Sequence, residues 1–340
     1  MADRFLAAGL AYCLTALLTP TAIGLARHIG AIDVPSDTRR MHKHPIPRTG
    51  GVAIFAAFVI AAGWIGAELS GFAHLLMGAT VLAVLGVLDD VFRLPAALKL
   101  AVQLLAASVT VAGGVDFGGI SLWGHVWGLG GLSLPLSVVW LVVCVNAHNM
   151  IDGLDGLSAS VSAVEAFVLA VLLALQGNGG LSGVALVLCG CCLGYLPYNR
   201  HPAHVFMGDT GSQLLGLVLG DLTLAFDQRK AGDLGALVPL LVLAVPLSDL
   251  VFAVLRRLAR GQSPFAADRG HWHHRLSDAG LTQRQTCFWM MLLAMLLGAV
   301  ALLILREALY PYAVYAVFWT LAAVWGLRLA LGRNGRTKST

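Results

Sequence analysis

Apolar residues fill most of the chain in long stretches, and the polar residues are gathered in the short segments between them. A helix needs roughly 20 mostly apolar residues to cross the hydrocarbon core of a bilayer. The pattern therefore predicts an all-α polytopic membrane protein with about eleven transmembrane helices, ten being the alternative. The predicted spans are 5–27, 51–67, 72–88, 99–113, 134–148, 157–176, 181–198, 211–226, 234–255, 287–305 and 311–331.

Two stretches need a separate interpretation. The segment 113–135 is too rich in glycine to be predicted as a span. The apolar N-terminus is interpreted as the first span rather than as a signal peptide, because no small-residue cleavage site follows a basic start.

The composition agrees with a membrane protein. Hydrophobic residues make up 58% of the chain and charged residues 12%, with a mean hydropathy of +0.80. A soluble domain carries roughly 25% charged residues. The net charge of +4 comes without a dense basic block, so no nucleic-acid partner is expected. The six cysteines lie inside apolar runs and are interpreted as buried apolar residues.

The distribution of basic residues predicts the orientation in the membrane. Lys and Arg accumulate in cytoplasmic loops. With eleven spans and an outside N-terminus, most of the 22 basic residues fall on the inside, together with the clustered aspartates and histidines. We therefore expect one integral-membrane domain over 1–340, with a functional face in the cytoplasm and a short basic tail at 332–340. No internal repeat is evident, which disfavours a transporter.

Two polar motifs occupy the first two inside loops. The loop 33–51 is basic and ends in Pro-Arg48-Thr-Gly-Gly, where adjacent glycines allow close backbone approach; a solvated loop that serves only topology is equally compatible.

Asp89 and Asp90 end a span and Lys99 opens the next. Adjacent carboxylates at a membrane boundary persist only with a compensating cation, metal or proton, although a capped, solvated helix end is the alternative. Such a pair beside a lysine suits the handling of a phosphate.

The third motif is the densest in polar residues. Its members recur every third position: Asn146, Asn149, Asp152 and Asp155. A helix would place them on one face, whereas Gly153 and Gly156 make a broken turn equally compatible. Carboxylate and amide oxygens are ligands for Mg²⁺ and acceptors for a ribose or base.

Two further motifs follow. Asp209 lies in Gly-Asp-Thr-Gly, and metal ligation is its natural role in phosphoryl transfer. The segment from Arg269 to Arg275 contains His271, His273 and His274, a donor-rich patch suited to a diphosphate, with a zinc site as the alternative. For four other polar residues structural pairing is favoured over access to the site: His201, His204, Asp221 and Asp249.

Together these five motifs resemble the polyprenyl-phosphate N-acetylhexosamine-1-phosphate transferase family, glycosyltransferase family 4. The resemblance runs from Asp33 to about Arg284 and rests on the Asp-x-Pro…Gly-Gly loop, Asp-Asp with Lys99, Asn-x-x-Asn-x-x-Asp-Gly-x-Asp-Gly, Gly-Asp-x-Gly-Ser and His-x-His-His. The histidine run is similar to the WecA/TagO-type branch, since the MraY branch has three consecutive histidines. Relatives often carry two lysines after Asp-Asp, whereas Ala97 takes one of those places here.

The resemblance implies a reaction and a site. An N-acetylhexosamine 1-phosphate, by default GlcNAc 1-phosphate, passes from the UDP-sugar to undecaprenyl phosphate, which gives undecaprenyl-diphospho-sugar and UMP and initiates lipid-linked surface polysaccharides such as O-antigen. Asp89, Asp90 and Asp209 are the implied catalytic residues, and Asp209 with Asn149 would hold Mg²⁺, or Mn²⁺ in its place. The implied substrate contacts are Arg48, Lys99, Asn146, Asn149, Asp152, Asp155, Arg269, His271, His273 and His274.

The expected partners are the UDP-N-acetylhexosamine, undecaprenyl phosphate and membrane lipids, with a homodimer left open. The expected location is the bacterial cytoplasmic (inner) membrane, with the active site facing the cytoplasm. Three alternatives stay open at this point. The donor sugar could be GalNAc, QuiNAc, FucNAc or MurNAc-pentapeptide, the mechanism could pass through a phospho-aspartate, and membrane aspartates are also typical of ion-coupled transporters. The crowding of carboxylates with His and Arg on one face favours the transferase.

Overall fold

The structure of the protein is a computed structural model that describes residues 2–34, 44–66, 71–123, 125–227, 233–263 and 270–306. Within these ranges the chain is dominated by helices: α1 (Ala2–Ile29), α2 (Gly50–Gly66), α3 (Phe72–Phe92), α4 (Ala96–Val111), α5 (Ser133–Ile151), α6 (Leu157–Leu175), α7 (Gly179–Asn199), α8 (Gly208–Leu224), α9 (Leu237–Val242), α10 (Ala244–Leu258), α11 (Trp272–Asp278) and α12 (Gln283–Leu305).

The prediction of an all-α polytopic membrane protein is confirmed. Among the described residues, six helical segments are long and apolar enough to cross a bilayer, namely α1, α3, α5 with the preceding turn, α6, α7 and α12, while α2 and α4 are shorter apolar helices. Every predicted span from 5–27 to 287–305 contains helix. The predicted span 311–331 and the tail 332–340 lie outside the described residues, so the number of spans stays a prediction.

The predicted span 234–255 is divided into two helices. α9 ends at Val242 and α10 begins at Ala244, with Leu243 between them. Pro246 has no backbone N–H to donate to Val242, four residues earlier, which removes one hydrogen bond that a continuous helix would contain. Pro246 is tolerated in the first turn of α10, where such donors lack intrahelical partners.

In the described part of the chain, two short antiparallel strand pairs add strands that the sequence did not predict. Strands β1 (Ile32–Asp33) and β2 (Ile46–Pro47) pair in the first inside loop, and β3 (Gly119–Leu122) pairs with β4 (His125–Gly128). The second hairpin lies in the glycine-rich stretch 113–135, which agrees with the prediction that this stretch is not a span. Glycine disfavours a helix there and allows the tight connections.

Helix α8 forms the centre of the bundle. All of its residues are buried, and it packs against α2, α3, α5, α6 and α7. Glycines permit this close packing, because a Cβ atom at Gly86 would collide with the backbone of Thr210, and one at Gly51 with the backbone of Gly211. The predicted close approach of the Gly50–Gly51 segment is thereby explained.

The polar motifs meet at one end of the bundle, which we call the polar end. It is formed by the last turns of α3 and α5 and the first turns of α4 and α8. Arg93, with a φ of 54°, ends α3 in the left-handed conformation and lets the chain reverse into α4 within three residues. The carboxylates that end α3 are therefore brought beside the lysine that opens α4.

Candidate active site

A lysine joins two aspartates from different helices at the polar end. Nζ of Lys99 lies 3.1 Å from Oδ2 of Asp89 and 2.9 Å from Oδ2 of Asp209. Both carboxylates are largely buried, whereas about a quarter of the lysine side chain is exposed. Oδ1 of Asp89 accepts a further hydrogen bond from the backbone N–H of Leu94 at 2.8 Å. The arrangement holds a positive charge between two anions beside accessible space, where a phosphate can compete for it.

Asp90 forms a second ion pair next to the first. Its Oδ1 lies 3.4 Å from Nε of Arg48 and accepts a hydrogen bond from the backbone N–H of Asp209 at 3.3 Å. Its Oδ2 is buried and has no hydrogen-bond partner within the described part of the chain. That oxygen lies against Gly208, whose φ of 65° and lack of a side chain allow the contact.

Amide side chains fix Asp209. Oδ1 of Asp209 accepts from Nδ2 of Asn149 at 3.0 Å, and Oδ2 accepts from Nε2 of Gln213 at 3.1 Å. The network continues from Gln213 to Gln103, and from Gln103 to Asn146, whose Nδ2 donates to Oε1 of Gln103 at 2.8 Å. The structure therefore places Asn146, a predicted substrate contact, in the hydrogen-bond network behind Asp209.

The motif 146–156 is divided between a helix and a turn. Asn146 and Asn149 lie in the last turns of α5, which ends at Ile151, and residues 152–156 form a turn before α6. Gly156, with a φ of 78°, precedes α6. The broken turn, and not one continuous helical face, is the observed arrangement. Asn149 consequently points to α8, whereas Asp152 and Asp155 line a cavity.

This cavity has a volume of about 820 Å³, and its wall combines apolar residues with many charged and polar side chains. Such a volume falls within the roughly 300–1,000 Å³ of ligand pockets. The charged and polar side chains in its wall are Arg27, Asp33, His44, Arg48, Asp152, Asp155, Asn199, His201, His204, His274 and Gln283. Arg48 and Gly208 also belong to the wall, and both contact Asp90. The cavity therefore adjoins the carboxylate cluster.

Asp155 is bound by the loop after α7. Its Oδ2 accepts from Nδ1 of His201 at 2.7 Å and from the backbone N–H of Ala203 at 3.1 Å. His201 therefore has both properties that the sequence left open, since it pairs structurally and also lines the cavity.

A buried aspartate orients the histidine segment. Oδ2 of Asp249, on α10, lies 2.8 Å from Nδ1 of His271, and its Oδ1 accepts from the backbone N–H of Trp272 at 2.8 Å. Because a carboxylate only accepts hydrogen bonds, His271 donates from Nδ1. The structural pairing favoured for Asp249 is what the structure shows.

The other two histidines differ in environment. His273 is buried against Gly153, with Nδ1 unpartnered in the described part of the chain, and burial lowers its pKa to about 3. It is therefore neutral at physiological pH and adds no charge to the predicted cationic patch. His274 lines the cavity, with its ring centroid 4.3 Å from that of His273. Arg269 lies outside the described residues.

Asp152 combines burial with several neighbouring carboxylates. Burial raises its pKa from 3.8 to about 7; Arg48 opposes the shift, and Asp209, Asp90 and Asp155 add to it. A group that titrates near neutrality in a cavity wall has the property expected of a functional acid or base.

The donor atoms of the cluster fit a magnesium ion. Mg²⁺ prefers hard oxygen ligands and is commonly held by one or two carboxylates together with substrate phosphates. Asp90 offers a buried carboxylate oxygen without a partner, and Asp209 is held beside it. Asn149 uses Nδ2 in its two bonds, to Asp209 and Ser212, so its oxygen is the atom that could ligate a metal. Within the described ranges no group of three or more His, Cys, Asp or Glu residues is arranged as a complete metal site, which gives no support to the zinc alternative.

Several site residues were missed by the sequence reasoning. Gln103 is a single polar residue inside an apolar run, and Gln213 directly follows the Gly-Asp-x-Gly-Ser motif without belonging to it. Their presence could still have been informative. A side-chain amide buried in a membrane helix costs free energy unless it has a hydrogen-bond partner, so each glutamine predicts a polar partner nearby. Asn199 was missed as well; its Oδ1 accepts from the N–H of Gly156 and holds the turn that carries Asp155.

Comparisons with known proteins show which proteins the chain is similar to. A family model described as "Glycosyl transferase family 4" matches residues 72–227. A Bacillus subtilis protein described as a probable undecaprenyl-phosphate N-acetylglucosaminyl 1-phosphate transferase is 35% identical over 89% of this chain and 85% of its own. A Mycobacterium tuberculosis decaprenyl-phosphate N-acetylglucosaminephosphotransferase is 35% identical over 79% and 76%. An Escherichia coli undecaprenyl-phosphate alpha-N-acetylglucosaminyl 1-phosphate transferase is 31% identical over 92% and 86%.

Proposed function

The chain belongs to glycosyl transferase family 4, and on that basis we propose that it transfers GlcNAc 1-phosphate from UDP-GlcNAc to undecaprenyl phosphate. The products are undecaprenyl-diphospho-GlcNAc and UMP, and the lipid-linked sugar initiates a surface polysaccharide. The observation that carries the proposal is the bridge from Lys99 to Asp89 and Asp209 beside a polar cavity of about 820 Å³.

The cavity is proposed as the donor site. Asp152 and Asp155 supply acceptors for hydroxyl groups of the sugar or ribose, and Arg48 supplies a planar donor for the diphosphate. His273 follows His271 after one intervening residue, Trp272, and its ring lies against Gly153 in the turn that carries Asp152 and Asp155. Because the pKa of His273 is lowered, this ring is neutral and adds no positive charge to the cavity wall. The nucleotide-sugar is thereby held by positioned donors and acceptors and not by net charge alone.

The chemistry requires little of the protein beyond placement and charge. An oxygen of the lipid phosphate attacks the β-phosphorus that bears the sugar, and the bond to the bridging oxygen of UMP breaks. Lys99 attracts the phosphates, and Asp89 and Asp90 keep the attacking phosphate deprotonated and in line. Both oxygens of Asp209 accept hydrogen bonds from the protein, which suits a fixed anion better than a nucleophile that moves to form a phospho-aspartate.

We include Mg²⁺, or Mn²⁺ in its place, in the proposal. Asp209 and the oxygen of Asn149 would hold it, with Oδ2 of Asp90 as a further ligand. When bound, the ion would offset the negative charge of the diphosphate. The location that goes with the proposal is the bacterial inner membrane, with the polar end in the cytoplasm, where basic residues of the predicted loops accumulate.

The test uses the purified full chain in detergent or nanodiscs. UMP release is measured with UDP-GlcNAc and undecaprenyl phosphate together, with each alone, and with Mg²⁺ or EDTA. Release that needs both substrates and stops with EDTA is the expected result. Asp209→Ala should abolish it, while Asp278→Asn, an exposed aspartate on α11, should leave it unchanged. The mass of the solubilised protein tests whether it is a monomer or a homodimer.

A comparison of UDP-sugar donors with one lipid acceptor then identifies the preferred donor sugar. UDP-GlcNAc should give the highest kcat/KM among UDP-GlcNAc, UDP-GalNAc, UDP-QuiNAc, UDP-FucNAc and UDP-MurNAc-pentapeptide. Absence of UMP release with every donor would refute the transferase and return attention to an ion-coupled transporter. Full activity of Asp209→Ala would remove this residue as the metal ligand.

A further inference from the structure

A buried histidine and a buried glutamate join α5 to α6 close to the carboxylate cluster. The side chains of His148 and Glu165 are both fully buried. Nε2 of His148 lies 2.8 Å from Oε2 of Glu165, and Nδ1 lies 2.9 Å from the backbone carbonyl oxygen of Cys144. Because a carbonyl oxygen only accepts hydrogen bonds, the ring carries a proton on Nδ1, and Nε2 is the atom bonded to Glu165. One ring therefore connects its own helix to the next.

This pair lies outside the cavity wall. Neither His148 nor Glu165 is among the residues that line the cavity of about 820 Å³. A buried pair of ionisable groups adds little to stability compared with apolar residues of the same volume, because both groups lose their hydration. The role of the pair then lies in what it holds in place.

The residue next to the ring is Asn149, which contacts the cluster. Its Nδ2 donates to Oδ1 of Asp209 at 3.0 Å and to Oγ of Ser212 at 2.9 Å, both on α8. Successive residues of a helix point about 100° apart, so Asn149 holds α5 towards α8 while His148 holds it towards α6. Two bonds in different directions fix the rotation of a helix about its axis, which one bond alone leaves free.

The end of α5 depends on such a bond because no helix continues beyond it. α5 ends at Ile151, three residues after the histidine, and the turn that follows contains Gly153. α5 packs mainly against α4, α8 and α10, and little against α6. A rotation of α5 by about 10° would move an atom about 6 Å from its axis by about 1 Å. This shift would break the bond from Asn149 to Asp209, and a misplacement of about 1 Å can lower a rate about 100-fold.

We propose that His148 and Glu165 form a positioning pair, which fixes the rotation of α5 and holds Asn149 where it and Asp209 would bind the divalent cation. Neither residue of the pair touches a substrate or the cation. This inference rests on the proposed function, in which Asn149 and Asp209 hold the ion. Lys99 lies on α4 and keeps its place without the pair. Loss of the pair therefore weakens binding of the cation and leaves binding of the lipid phosphate unchanged.

The test measures cation affinity with the purified full chain in nanodiscs. Free Mn²⁺ is measured by electron paramagnetic resonance with UDP-GlcNAc present and no acceptor lipid, so that no turnover occurs. Glu165→Met removes the bond and should weaken Mn²⁺ binding about 10- to 100-fold, the range for residues that orient a metal ligand. Glu165→Gln still donates a hydrogen bond to Nε2 of His148 and should bind Mn²⁺ like the wild type.

The UMP assay provides a second readout that a merely structural role would not move. In Glu165→Met the Mg²⁺ concentration for half-maximal activity should rise by the same factor as the Mn²⁺ dissociation constant. The KM for undecaprenyl phosphate at saturating Mg²⁺ should stay unchanged. The matched control is Ser182→Ala, which removes a buried hydrogen bond of 2.8 Å from α7 to the carbonyl oxygen of Ala170 on α6. This variant should melt at a lower temperature and keep the wild-type affinity for Mn²⁺.

A double variant covers the case in which Glu165→Met does not accumulate. His148→Phe combined with Glu165→Met leaves no unpaired polar group in the pair, so it should fold, and it should show the same weakened Mn²⁺ binding. Wild-type Mn²⁺ affinity in Glu165→Met or in the double variant would overturn the inference. A loss in Glu165→Gln as large as that in Glu165→Met would do the same.

Failure of this inference differs from failure of the proposed function. In each of those cases the wild type would still bind Mn²⁺ and release UMP, which supports the proposed function. Absence of Mn²⁺ binding by the wild type would refute the proposed cation site and this inference together. Absence of wild-type UMP release with any donor would refute the proposed function itself.

Discussion

Replacing Asp249 by Asn tests whether the orientation of His271 contributes to catalysis. Asp249 is buried and accepts two hydrogen bonds of 2.8 Å, from Nδ1 of His271 and from the N–H of Trp272. An asparagine of the same shape has one oxygen and one NH₂ group. If the oxygen keeps the bond to Trp272, the NH₂ group faces His271, which then has to accept at Nδ1 and carry its proton on Nε2.

The expected loss follows from the bond that changes. A hydrogen bond to a charged group contributes about 1.5–3 kcal/mol. If that orientation is required only in the transition state, kcat falls about 10- to 150-fold. Asp249→Ala removes both acceptors and should lower kcat at least as far.

The assay is steady-state UMP release at saturating Mg²⁺. We expect Asp249→Asn to lower kcat while the KM for undecaprenyl phosphate stays unchanged. The variants Asp249→Asn, His271→Ala and the double variant form a cycle, and the double variant should be no slower than His271→Ala alone, because the carboxylate acts through the ring.

Two results would refute this reasoning. Wild-type kcat in Asp249→Asn would show that the orientation of the ring is irrelevant to turnover. Additive losses in the cycle would show that Asp249 acts independently of His271. A purely structural role would lower the melting temperature without changing kcat per folded molecule, so both quantities are measured.

Three further predictions follow from the same site. In the proposed donor site the ionised form of Asp152 accepts hydrogen bonds from the donor substrate. On that proposal kcat/KM for UDP-GlcNAc should fall about tenfold per pH unit below about 7 as its carboxylate gains a proton, and Asp152→Asn should give a flat, low profile. Gln213→Leu removes a donor to the Asp209 carboxylate and should lower kcat about 10- to 150-fold in the same UMP assay. Gly86→Ala places a methyl group against the backbone of Thr210 and should lower the free energy of unfolding by about 1–3 kcal/mol, measured as a lower melting temperature.

Each of these predictions has a matched control. Asp278→Asn should keep the wild-type pH profile, and an acidic limb that persists in Asp152→Asn would assign the titration to another group. Gln176→Leu, whose residue bonds the backbone of Asp227 outside the site, should keep the wild-type kcat. Gly63→Ala adds its methyl group to open space and should melt like the wild type, so equal melting of both alanine variants would contradict the close packing of α3 on α8.

The linkage of Asp152 to stability has a definite sign. Its folded-state pKa of about 7 lies above the ordinary value of 3.8, so between these pH values the folded protein binds more protons than the unfolded chain. Raising the pH through this window therefore lowers the stability that this group contributes. His273, with its pKa lowered to about 3, acts in the opposite direction between about pH 3 and pH 6.5, because there the unfolded chain binds more protons than the folded protein.

The sequence was most informative where polar residues interrupt apolar runs. Asp89, Asp90, Lys99, Asn149 and Asp209 were all predicted, and the structure brings them together, because ionisable groups at membrane boundaries are costly unless they face one another. Within the described residues the predicted spans likewise contain helices, with 234–255 divided into two, since the thickness of a bilayer sets the length of a span.

The pairings could not be predicted in the same way. Which oxygen of Asp209 accepts from Gln213, and which histidine Asp249 binds, depend on the relative rotation of helices that are distant in sequence. Spacing alone put Asn146 on the same face as Asp152, and the turn after Ile151 separated them. A glycine within such a motif leaves helix and turn close in energy, and tertiary contacts decide between them.

The burial of α8 on every side has a consequence for the assembly of the protein. A helix that contains Asp209, Gln213 and Asp221 would insert into lipid unfavourably, since one aspartate at the centre of a span raises the free energy of insertion by about 2.5–3.5 kcal/mol. The helices that pack against α8, namely α2, α3, α5, α6 and α7, all precede it in the chain. They are therefore synthesised first, and the helix that carries Asp209 can leave the translocon into a groove of protein instead of into lipid. The order of the helices along the chain is thus also the order in which they are inserted, with the surrounding helices before the buried one.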